Sequence, residues 1–373
     1  MVTRRHFLTQ ALLTSGTLSA ASAAKAFGSS VTASAVGQES PGWRMPDEGA
    51  PHAATWMAFG PSEKIWGRKL LPAARQNLAG IARAIAVHEP VKMLVRKEDR
   101  DIAARLCGPS VELITQPIDD LWMRDTGPVF VKDQAGRLGA VGFNFNGWGH
   151  KQTHERDAGI AAFVARAASA EFIPTKLVLE GGAIEVDGQG TAIIAESCVL
   201  NSNRNPGLSK TECESELSRL LGLRKIIWLP GIAGRDITDG HTDFYARFAS
   251  PGVVVAGFEP DPSFYDHAVT RKNVEILRQA RDANGRKLKV VLLPGPTTVR
   301  SHYENRDFAA GYVNFYLCNG AVIAPEFGDP TADRHAREVL SELFPTRKII
   351  QLNIDAIAAG GGGIHCTTQQ QPA

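Results

Sequence analysis

Apolar and polar residues follow two alternating patterns along the chain, and together they predict strands and helices in a repeated order. Pairs of short apolar stretches flank turns that contain Gly, often as Asn-Gly or Asp-Gly, which is typical of β-hairpins. Each pair is followed by a stretch with helical spacing of apolar residues, and then by one more short apolar stretch. The order hairpin, helix, strand occurs four times.

Four copies of this unit can be delimited in the sequence. The predicted hairpins are 127–131 with 138–143, 183–186 with 191–195, 242–248 with 253–257, and 312–317 with 321–324. The predicted helices cover about 155–169, 209–221, 263–283 and 331–344. The predicted third strands are 176–179, 225–228, 288–293 and 348–350. Strands and helices that alternate in this way indicate an α/β fold with an internal repeat.

A fifth copy of the unit is divided between the two ends of the chain. A helix at about 69–87 and strands at 91–95 and 111–115 lie near the start, while the two hairpin strands would be 55–59 and 364–368. Pairing these two strands would close the five units into a ring and remove open sheet edges. The pattern therefore predicts a five-bladed, pseudo-symmetric α/β propeller. A two-domain α/β protein without symmetry is the alternative.

The first residues resemble a twin-arginine export signal. Arg4 and Arg5 precede Phe7 and Leu8, and a weakly apolar stretch with small residues at its end follows. A short surface helix with two unrelated arginines is the alternative explanation. We expect three segments, namely a signal peptide at 1–26, a flexible linker at 27–44 and a folded catalytic domain at 45–373.

Export by the twin-arginine machinery would place the mature protein in the periplasm or outside the cell. No later segment reaches the length of a membrane span, so we expect no stable membrane association. The 373 residues carry a formal charge of +2, which becomes −1 without the first 26 residues. This balance argues against a nucleic-acid partner. Five cysteines without a CxxC pair argue against a disulfide scaffold and a zinc ribbon.

Five side chains that can take part in catalysis occur near glycines at equivalent places of the units. They are Asp125, Glu180, His241, Asp243 and Cys366. Taken singly, each has a structural explanation, such as a buried cysteine or a turn-capping aspartate. In a ring, however, equivalent strand ends meet at the axis, so these residues would share one pocket. His241 and Asp243 are two positions apart in a predicted strand and would face the same side.

One thiol, one imidazole and three carboxylates suit a particular reaction. A thiolate is a strong nucleophile, and an imidazole donates a proton to a leaving group and then takes one from water. Carboxylates match the planar N–H fork of a guanidinium. The set predicts thiolate attack on a guanidinium carbon, loss of ammonia and hydrolysis of the resulting thiouronium. No metal or cofactor is expected, because the adjacent His365 and Cys366 lack a second ligand pair.

Five ordered motifs, which extend from about residue 45 to the C-terminal end, resemble the agmatine deiminase and bacterial peptidylarginine deiminase family. The motifs are Trp-Met-Arg-Asp-Thr-Gly-Pro at 122–128, Glu-Gly-Gly at 180–182, Asp-Gly-His-Thr-Asp at 239–243, Tyr-Val-Asn-Phe-Tyr at 312–316 and Ile-His-Cys-Thr-Thr-Gln-Gln-Gln-Pro at 364–372. The resemblance implies the pentein fold, a five-bladed α/β propeller, which agrees with the repeat.

The resemblance also implies roles for the candidate residues. Cys366 matches the family's nucleophile, and His241 matches its general acid and base. Asp125 and Asp243 match the carboxylates that grip the guanidinium. Glu180 matches the acid that orients and charges the histidine. All five side chains would therefore be catalytic, and Asp125 and Asp243 would bind the substrate as well.

The resemblance further places Trp122 beside the substrate, and the glycines at 360–363 would let the backbone approach a ligand closely. Some positions depart from the family pattern. Gly363 stands where Asn is common, and Ala183 and Glu185 stand where Ser and His often follow the Glu-Gly-Gly motif. None of these departures removes a predicted catalytic residue, and they concern recognition of the far end of the substrate.

The leading hypothesis is hydrolysis of agmatine to N-carbamoylputrescine and ammonia, a reaction of putrescine and polyamine biosynthesis. A secreted deiminase of arginyl peptides, or of another guanidine compound, is the alternative activity. A protein from a different class, an inactive exported binder of amines, would keep the carboxylates but would need neither Cys366 nor His241.

Overall fold

The computed structural model describes residues 2–3, 42–303 and 305–373. Apart from Val2 and Thr3, the predicted signal peptide at 1–26 therefore lies outside the described residues, as does most of the predicted linker. The last residues of that linker pack onto the folded chain, because Trp43 is buried and Arg44 exchanges two backbone hydrogen bonds with Lys132. The packed part of the protein thus begins before residue 45.

Eighteen strands are present in the described residues, and most belong to five mixed sheets of three or four strands. In chain order they are β1 (Val2–Thr3), β2 (His52–Phe59), β3 (Val91–Val95), β4 (Val111–Thr115), β5 (Val129–Lys132), β6 (Leu138–Gly142), β7 (Glu171–Pro174), β8 (Ile184–Val186), β9 (Thr191–Ala195), β10 (Lys225–Leu229), β11 (Ala246–Ser250), β12 (Val253–Phe258), β13 (Lys289–Pro294), β14 (Thr298–Val299), β15 (Tyr316–Cys318), β16 (Ala321–Glu326), β17 (Lys348–Asn353) and β18 (Gln369–Pro372). The short strands β1 and β14 form a separate antiparallel pair.

The helices connect these strands. They are α1 (Glu63–Ala86), α2 (Arg100–Cys107), α3 (Met123–Thr126), α4 (Gly147–His150), α5 (Ile160–Ala167), α6 (Glu196–Val199), α7 (Lys210–Leu221), α8 (His267–Gln279), α9 (Pro330–Leu343) and α10 (Asp355–Ala359). Short 3₁₀ turns occur at Lys97–Asp99, Asp157–Gly159, Gly181–Ala183, Thr242–Phe244 and His365–Thr367. Within the described residues, no helix combines the length and the apolar character that crossing a membrane requires.

Four sheets share one topology, which confirms the predicted repeat. In each, an antiparallel hairpin is extended by a third strand that runs parallel to the second, as in β5-β6-β7, β8-β9-β10, β11-β12-β13 and β15-β16-β17. A parallel neighbour requires a crossover, and α5, α7, α8 and α9 supply it. The α/β class of the fold is therefore as predicted.

The fifth sheet joins the two ends of the chain. Its order is β18-β2-β3-β4, and β18 is antiparallel to β2, with Gln369 opposite Trp56. The predicted pairing of the ends is thus confirmed, but the C-terminal strand covers Gln369–Pro372 rather than 364–368. Residues His365–Thr367 form a 3₁₀ turn instead.

Three other strand predictions near the candidate residues were wrong, and in one of them the strand predicted at 312–317 starts only at Tyr316. The third strand of the first repeat is Glu171–Pro174, whereas 176–179 is irregular chain that leads to Glu180. The predicted strand at 242–248 starts only at Ala246, because Thr242–Phe244 forms a 3₁₀ turn. The side chain of Thr242 bridges two backbone groups, Ala183 O and Ala195 N, and this tertiary contact replaces strand pairing.

Helix α7 illustrates how local sequence determines an element. Ser209 precedes it and accepts a hydrogen bond from Glu212 N, while the Glu212 side chain accepts from Ser209 N, so both ends of a capping box are present. Gly222 ends the helix in the left-handed conformation at φ 68°. The buried residues Leu217 and Leu221 are four positions apart and face the core. Prediction and structure agree here to within one residue.

Candidate active site

A cavity of about 500 Å³ lies among the turns that connect the sheets. Four of the predicted site residues, Trp122, Asp125, His241 and Cys366, belong to its wall. Glu180 and Asp243 lie behind this wall and contact residues that form it. The structure therefore brings all six predicted residues together, although Trp122 and Cys366 lie far apart in the chain.

Cys366 occupies the 3₁₀ turn at the end of the glycine run, and it is buried. Its Sγ lies 3.3 Å from Asn314 Nδ2 and 3.5 Å from Asp243 Oδ2. Burial, together with the negative charges of Asp243 and Asp125, raises the pKa of the thiol well above its ordinary value. This shift favours the neutral thiol form of Cys366.

Asp243 offers a free carboxylate oxygen beside this sulfur. Its Oδ2 lies 2.7 Å from His365 Nδ1, whereas its buried Oδ1 has no hydrogen-bond partner among the described residues. Burial by itself would raise the pKa of Asp243, but His365, His241 and Arg247 lower it. A buried, charged oxygen without a partner is costly, so this geometry favours a cationic ligand.

His241 lies between two carboxylates. Its Nε2 is 3.4 Å from Glu180 Oε2, and its Nδ1 is 3.8 Å from Asp125 Oδ1. Burial alone would lower the pKa of His241, but Asp125 and Glu180 raise it well above its ordinary value. This shift favours the protonated imidazole, which is the form that can donate a proton.

Arg204 holds Glu180 in place beside the histidine. Its Nε donates to both carboxylate oxygens, at 2.8 and 3.0 Å, and both side chains are fully buried. Among the described residues, Glu180, Cys198 and His241 form a cluster whose potential ligand atoms lie within 4.8 Å of one another. Because Arg204 and the charged His241 already balance this carboxylate, we interpret the cluster as a support for the histidine rather than a metal site.

Asp125 forms the other carboxylate wall, from the short helix α3. Its Oδ1 accepts a hydrogen bond from Gly182 N at 3.1 Å, and its Oδ2 accepts one from Trp148 Nε1 at 3.0 Å. Burial raises its pKa to about 6; the positive charge of His241 acts against this shift, and the negative charge of Glu180 adds to it. A guanidinium at this position would favour the ionised carboxylate.

The Glu-Gly-Gly motif has a steric explanation. A Cβ atom on Gly182 would lie 2.5 Å from His241 Nδ1 and 2.9 Å from Asp125 Oδ1, and one on Gly181 would lie 2.3 Å from Arg124 O. Only glycine allows the backbone to pass so close to the two charged side chains. The motif therefore holds Glu180, His241 and Asp125 at contact distance.

Tryptophan forms a further wall. Trp122 stacks on Trp66 with ring centroids 5.9 Å apart, and its Nε1 donates to Asp120 Oδ2 at 3.0 Å. A Cβ atom on Gly362 would lie 2.1 Å from Trp122, and one on Gly360 would lie 2.3 Å from Trp66. Gly360, Gly361 and Gly362 line the cavity, and the close approach of Gly360 and Gly362 is to these indole rings. A close approach of this backbone to a ligand stays a prediction.

One premise of the sequence prediction was wrong. His241 and Asp243 are not on a strand, because the chain turns at Asp239 and Gly240, which have φ of 63° and 93°, and then enters the 3₁₀ turn. His241 consequently faces Glu180, whereas Asp243 faces His365. Both side chains still reach the site, but from different directions.

Sequence reasoning missed several residues that support the site. Two of them lie inside the motifs that carry the family resemblance. His365 directly precedes Cys366, and Asn314 is the central residue of Tyr-Val-Asn-Phe-Tyr, so these positions were a usable signal. Glu48 and Arg204 gave no comparable signal, because each is a single residue in an irregular segment. Trp148 lies in the short helix α4, outside the five motifs. Glu48 contacts His365 across nearly the full chain, with 2.9 Å between Oε2 and Nε2.

Comparisons with known proteins show which family this chain resembles over nearly all of its described length. Residues 44–372 match the family model of the Porphyromonas-type peptidyl-arginine deiminases. A relative from Streptomyces coelicolor is 45% identical over 338 residues, covering 88% of this chain and 99% of the relative. The agmatine deiminase of Stutzerimonas stutzeri is 39% identical, with 89% and 96% covered. The solved agmatine deiminase of Enterococcus faecalis superposes with a TM-score of 0.84 at 31% identity, covering 89% of this chain and 96% of that chain.

The fold and site thus define a protein of the pentein superfamily. Within it, the chain belongs to the Porphyromonas-type peptidyl-arginine deiminase family, which confirms the resemblance found in the sequence.

Proposed function

We propose that the protein hydrolyses agmatine to N-carbamoylputrescine and ammonia, as a hydrolase of a guanidino C–N bond. The observation that carries this proposal is the convergence of a thiol, a cationic imidazole and two carboxylates on one cavity. The names of the similar proteins from Stutzerimonas stutzeri and Enterococcus faecalis support agmatine as the substrate. The product would serve putrescine formation.

The guanidinium of the substrate binds between Asp125 and Asp243. Its planar N–H groups suit the free Asp243 Oδ1, and its charge stabilises the ionised form of Asp125, whose pKa burial raises to about 6. Trp122 provides an apolar surface on the wall of the cavity. Binding therefore places a flat cation next to Cys366.

The bound cation lowers the pKa of the Cys366 thiol, which releases its proton to solvent. The thiolate attacks the guanidinium carbon, and His241 gives its proton to one amino group of the tetrahedral adduct. The C–N bond breaks, ammonia leaves, and a thiouronium cation remains on the sulfur. The imidazole must hold a proton when ammonia leaves, and the raised pKa of His241 agrees with this requirement.

Water completes the reaction. The now neutral His241 takes a proton from water, the oxygen adds to the thiouronium carbon, and the C–S bond breaks to release the thiolate. The protonated urea product loses its proton to solvent and leaves. Glu180, held by Arg204, keeps the imidazole oriented and stabilises its charge in both steps.

The test is incubation of the protein with agmatine, free arginine and arginyl peptides, followed by assays of ammonia and of the ureido product. We expect turnover of agmatine, and none with the Cys366→Ala variant as control. Turnover of peptides but not of agmatine would overturn the substrate. Lack of turnover with all three would overturn catalysis on these compounds and favour the amine-binding protein.

Deimination of arginyl peptides is the second candidate. The description of the matching family names peptidyl-arginine, whose side chain carries the same guanidinium group. Both substrates would use the same four reacting groups, so the mechanism is common to them. The assay above separates the two by the identity of the ureido product.

Two further parts of the proposal concern architecture and location. The five sheets would be blades of a five-bladed propeller around the cavity, which the placement of site residues from different repeats supports. The paired Arg4 and Arg5 support export by the twin-arginine machinery to the periplasm or medium. Cell fractionation of the unaltered chain and of an Arg4→Lys, Arg5→Lys variant tests this export. We expect the variant to stay in the cytoplasm and the unaltered chain to leave it.

A further inference from the structure

The carboxamide of Asn314 lies against the proposed nucleophile and is fully buried. Its Oδ1 accepts a hydrogen bond from the backbone N–H of His365 at 3.0 Å. Its Nδ2 lies 3.3 Å from Cys366 Sγ and 3.4 Å from the backbone carbonyl of Asp243. Three contacts thus hold the amide plane next to the sulfur.

The surroundings determine which way the Asn314 amide points. A backbone N–H can only donate, so the atom facing His365 N must be the carboxamide oxygen. The carbonyl of Asp243 can only accept, so the atom facing it must be the nitrogen. Both contacts favour one orientation, in which Nδ2 directs its hydrogens toward the carbonyl and the sulfur.

The sulfur of Cys366 needs such a donor. As a thiol it can donate to Asp243 Oδ2 or to Asn314 Oδ1, each 3.5 Å away. As a thiolate it faces the negative charges of Asp243 and Asp125, which raise its pKa. The donors that lower this pKa are the backbone of Gly363 and the side chain of Asn314.

We propose that Asn314 is a further catalytic residue, whose Nδ2–H group stabilises the Cys366 thiolate by a hydrogen bond. The bond would act when the thiolate forms for attack, and again when the thiolate leaves the thiouronium carbon. This inference rests on the proposed deiminase function for its role in turnover. The effect on the thiol itself does not depend on the substrate.

Gly363 makes this contact possible. A Cβ atom at position 363 would lie 2.3 Å from Asn314 Oδ1 and 2.7 Å from its Cγ. Such distances do not occur without movement, so a side chain at 363 would push the carboxamide away from the sulfur. Gly363→Ala therefore displaces Asn314 without altering its chemistry.

The experiment measures the pH dependence of Cys366 alkylation by iodoacetamide, followed at this residue by peptide mass spectrometry. The variants are Asn314→Ala and Asn314→Asp, and Asn273→Ala is the control, because Asn273 is a buried asparagine on helix α8 that is not part of the cavity wall. We expect both Asn314 variants to raise the midpoint by at least about one pH unit, more for Asp because its charge adds repulsion. The control should leave the midpoint unchanged.

Turnover provides the second measurement. Loss of the hydrogen bond should lower kcat by about 10- to 100-fold, with a smaller change in KM, since the bond is stronger to the thiolate than to the thiol. Unchanged midpoints in folded Asn314 variants would overturn the proposal. If these variants fail to fold, Gly363→Ala decides, and an unchanged midpoint there would also overturn it. Because alkylation needs no substrate, a failure of deimination in the unaltered protein is distinguishable from a failure of this inference.

Discussion

Two histidines of this protein each lie between two carboxylates, yet their surroundings give them different properties. His241 is 3.4 and 3.8 Å from Glu180 and Asp125 and belongs to the cavity wall. His365 is 2.7 and 2.9 Å from Asp243 and Glu48, and it is buried behind Cys366. The contacts of His241 are therefore longer, and its imidazole is accessible to a ligand in the cavity. The contacts of His365 are shorter, and its imidazole is closed to a ligand.

The local charge also differs between the two histidines. Asp125 and Glu180 raise the pKa of His241 well above its ordinary value. For His365, burial and the nearby guanidinium groups of Arg124 and Arg247 lower the pKa. A histidine between carboxylates is therefore not automatically an acid catalyst, because the next shell of charges and access to the cavity decide its use. We infer that His241 transfers protons and that His365 positions Asp243.

The largest expected effect separates the two histidines. His241→Gln should lower kcat by at least about 1,000-fold, because the acid for ammonia departure and the base for water are both lost. Steady-state assays with agmatine measure this. A residual rate within about tenfold of the unaltered protein would show that another group transfers the proton.

Substitution of the two carboxylates proposed to bind the guanidinium, Asp125 and Asp243, should give the next largest effect. Asp243→Asn and Asp125→Asn should each lower kcat/KM by about 100-fold, since each removes a charge-assisted hydrogen bond to the cation. The matched control is Asp187→Asn, a buried aspartate outside the cavity wall. Equal losses in the control and in the two clamp variants would remove the proposed binding role.

His365→Gln should have a smaller effect, about tenfold in kcat/KM, because it frees Asp243 without removing a reacting group. If His365 only positions Asp243, the shape of the pH profile should not change, whereas loss of a proton-transfer group would change it. The comparison of this profile with that of His241→Gln tests the assignment directly.

The smallest effect expected is a pH dependence of kcat/KM around the pKa of Asp125. Burial raises the pKa of Asp125 to about 6, so this carboxyl is ionised above that pH and neutral below it. The cation binds the ionised form, and kcat/KM should therefore fall as the pH is lowered through about 6. Asp125→Asn should abolish this decrease, and an unchanged decrease in the variant would assign it to another group.

Local patterns were sufficient for most of the repeat. The capping box at Ser209, the glycine at 222 and the turns of the hairpins act over a few residues, so their outcome can be predicted from the neighbouring sequence. The failures lie at the site, where Thr242–Phe244 and His365–Thr367 form turns in place of the predicted strand residues. There the backbone bonds to distant side chains rather than to a neighbouring strand.

The sequence by itself determined the α/β repeat, the pairing of the chain ends and which thiol, imidazole and carboxylates we propose as the reacting groups. Only the tertiary structure decided how these groups are directed and supported. Glu48 and His365 meet at 2.9 Å although they are 317 positions apart, and Asn314 reaches Cys366 across 52 positions. The reason is physical, because such contacts arise from strand pairing and close packing over the whole domain, which leave no periodic signal near the residues themselves.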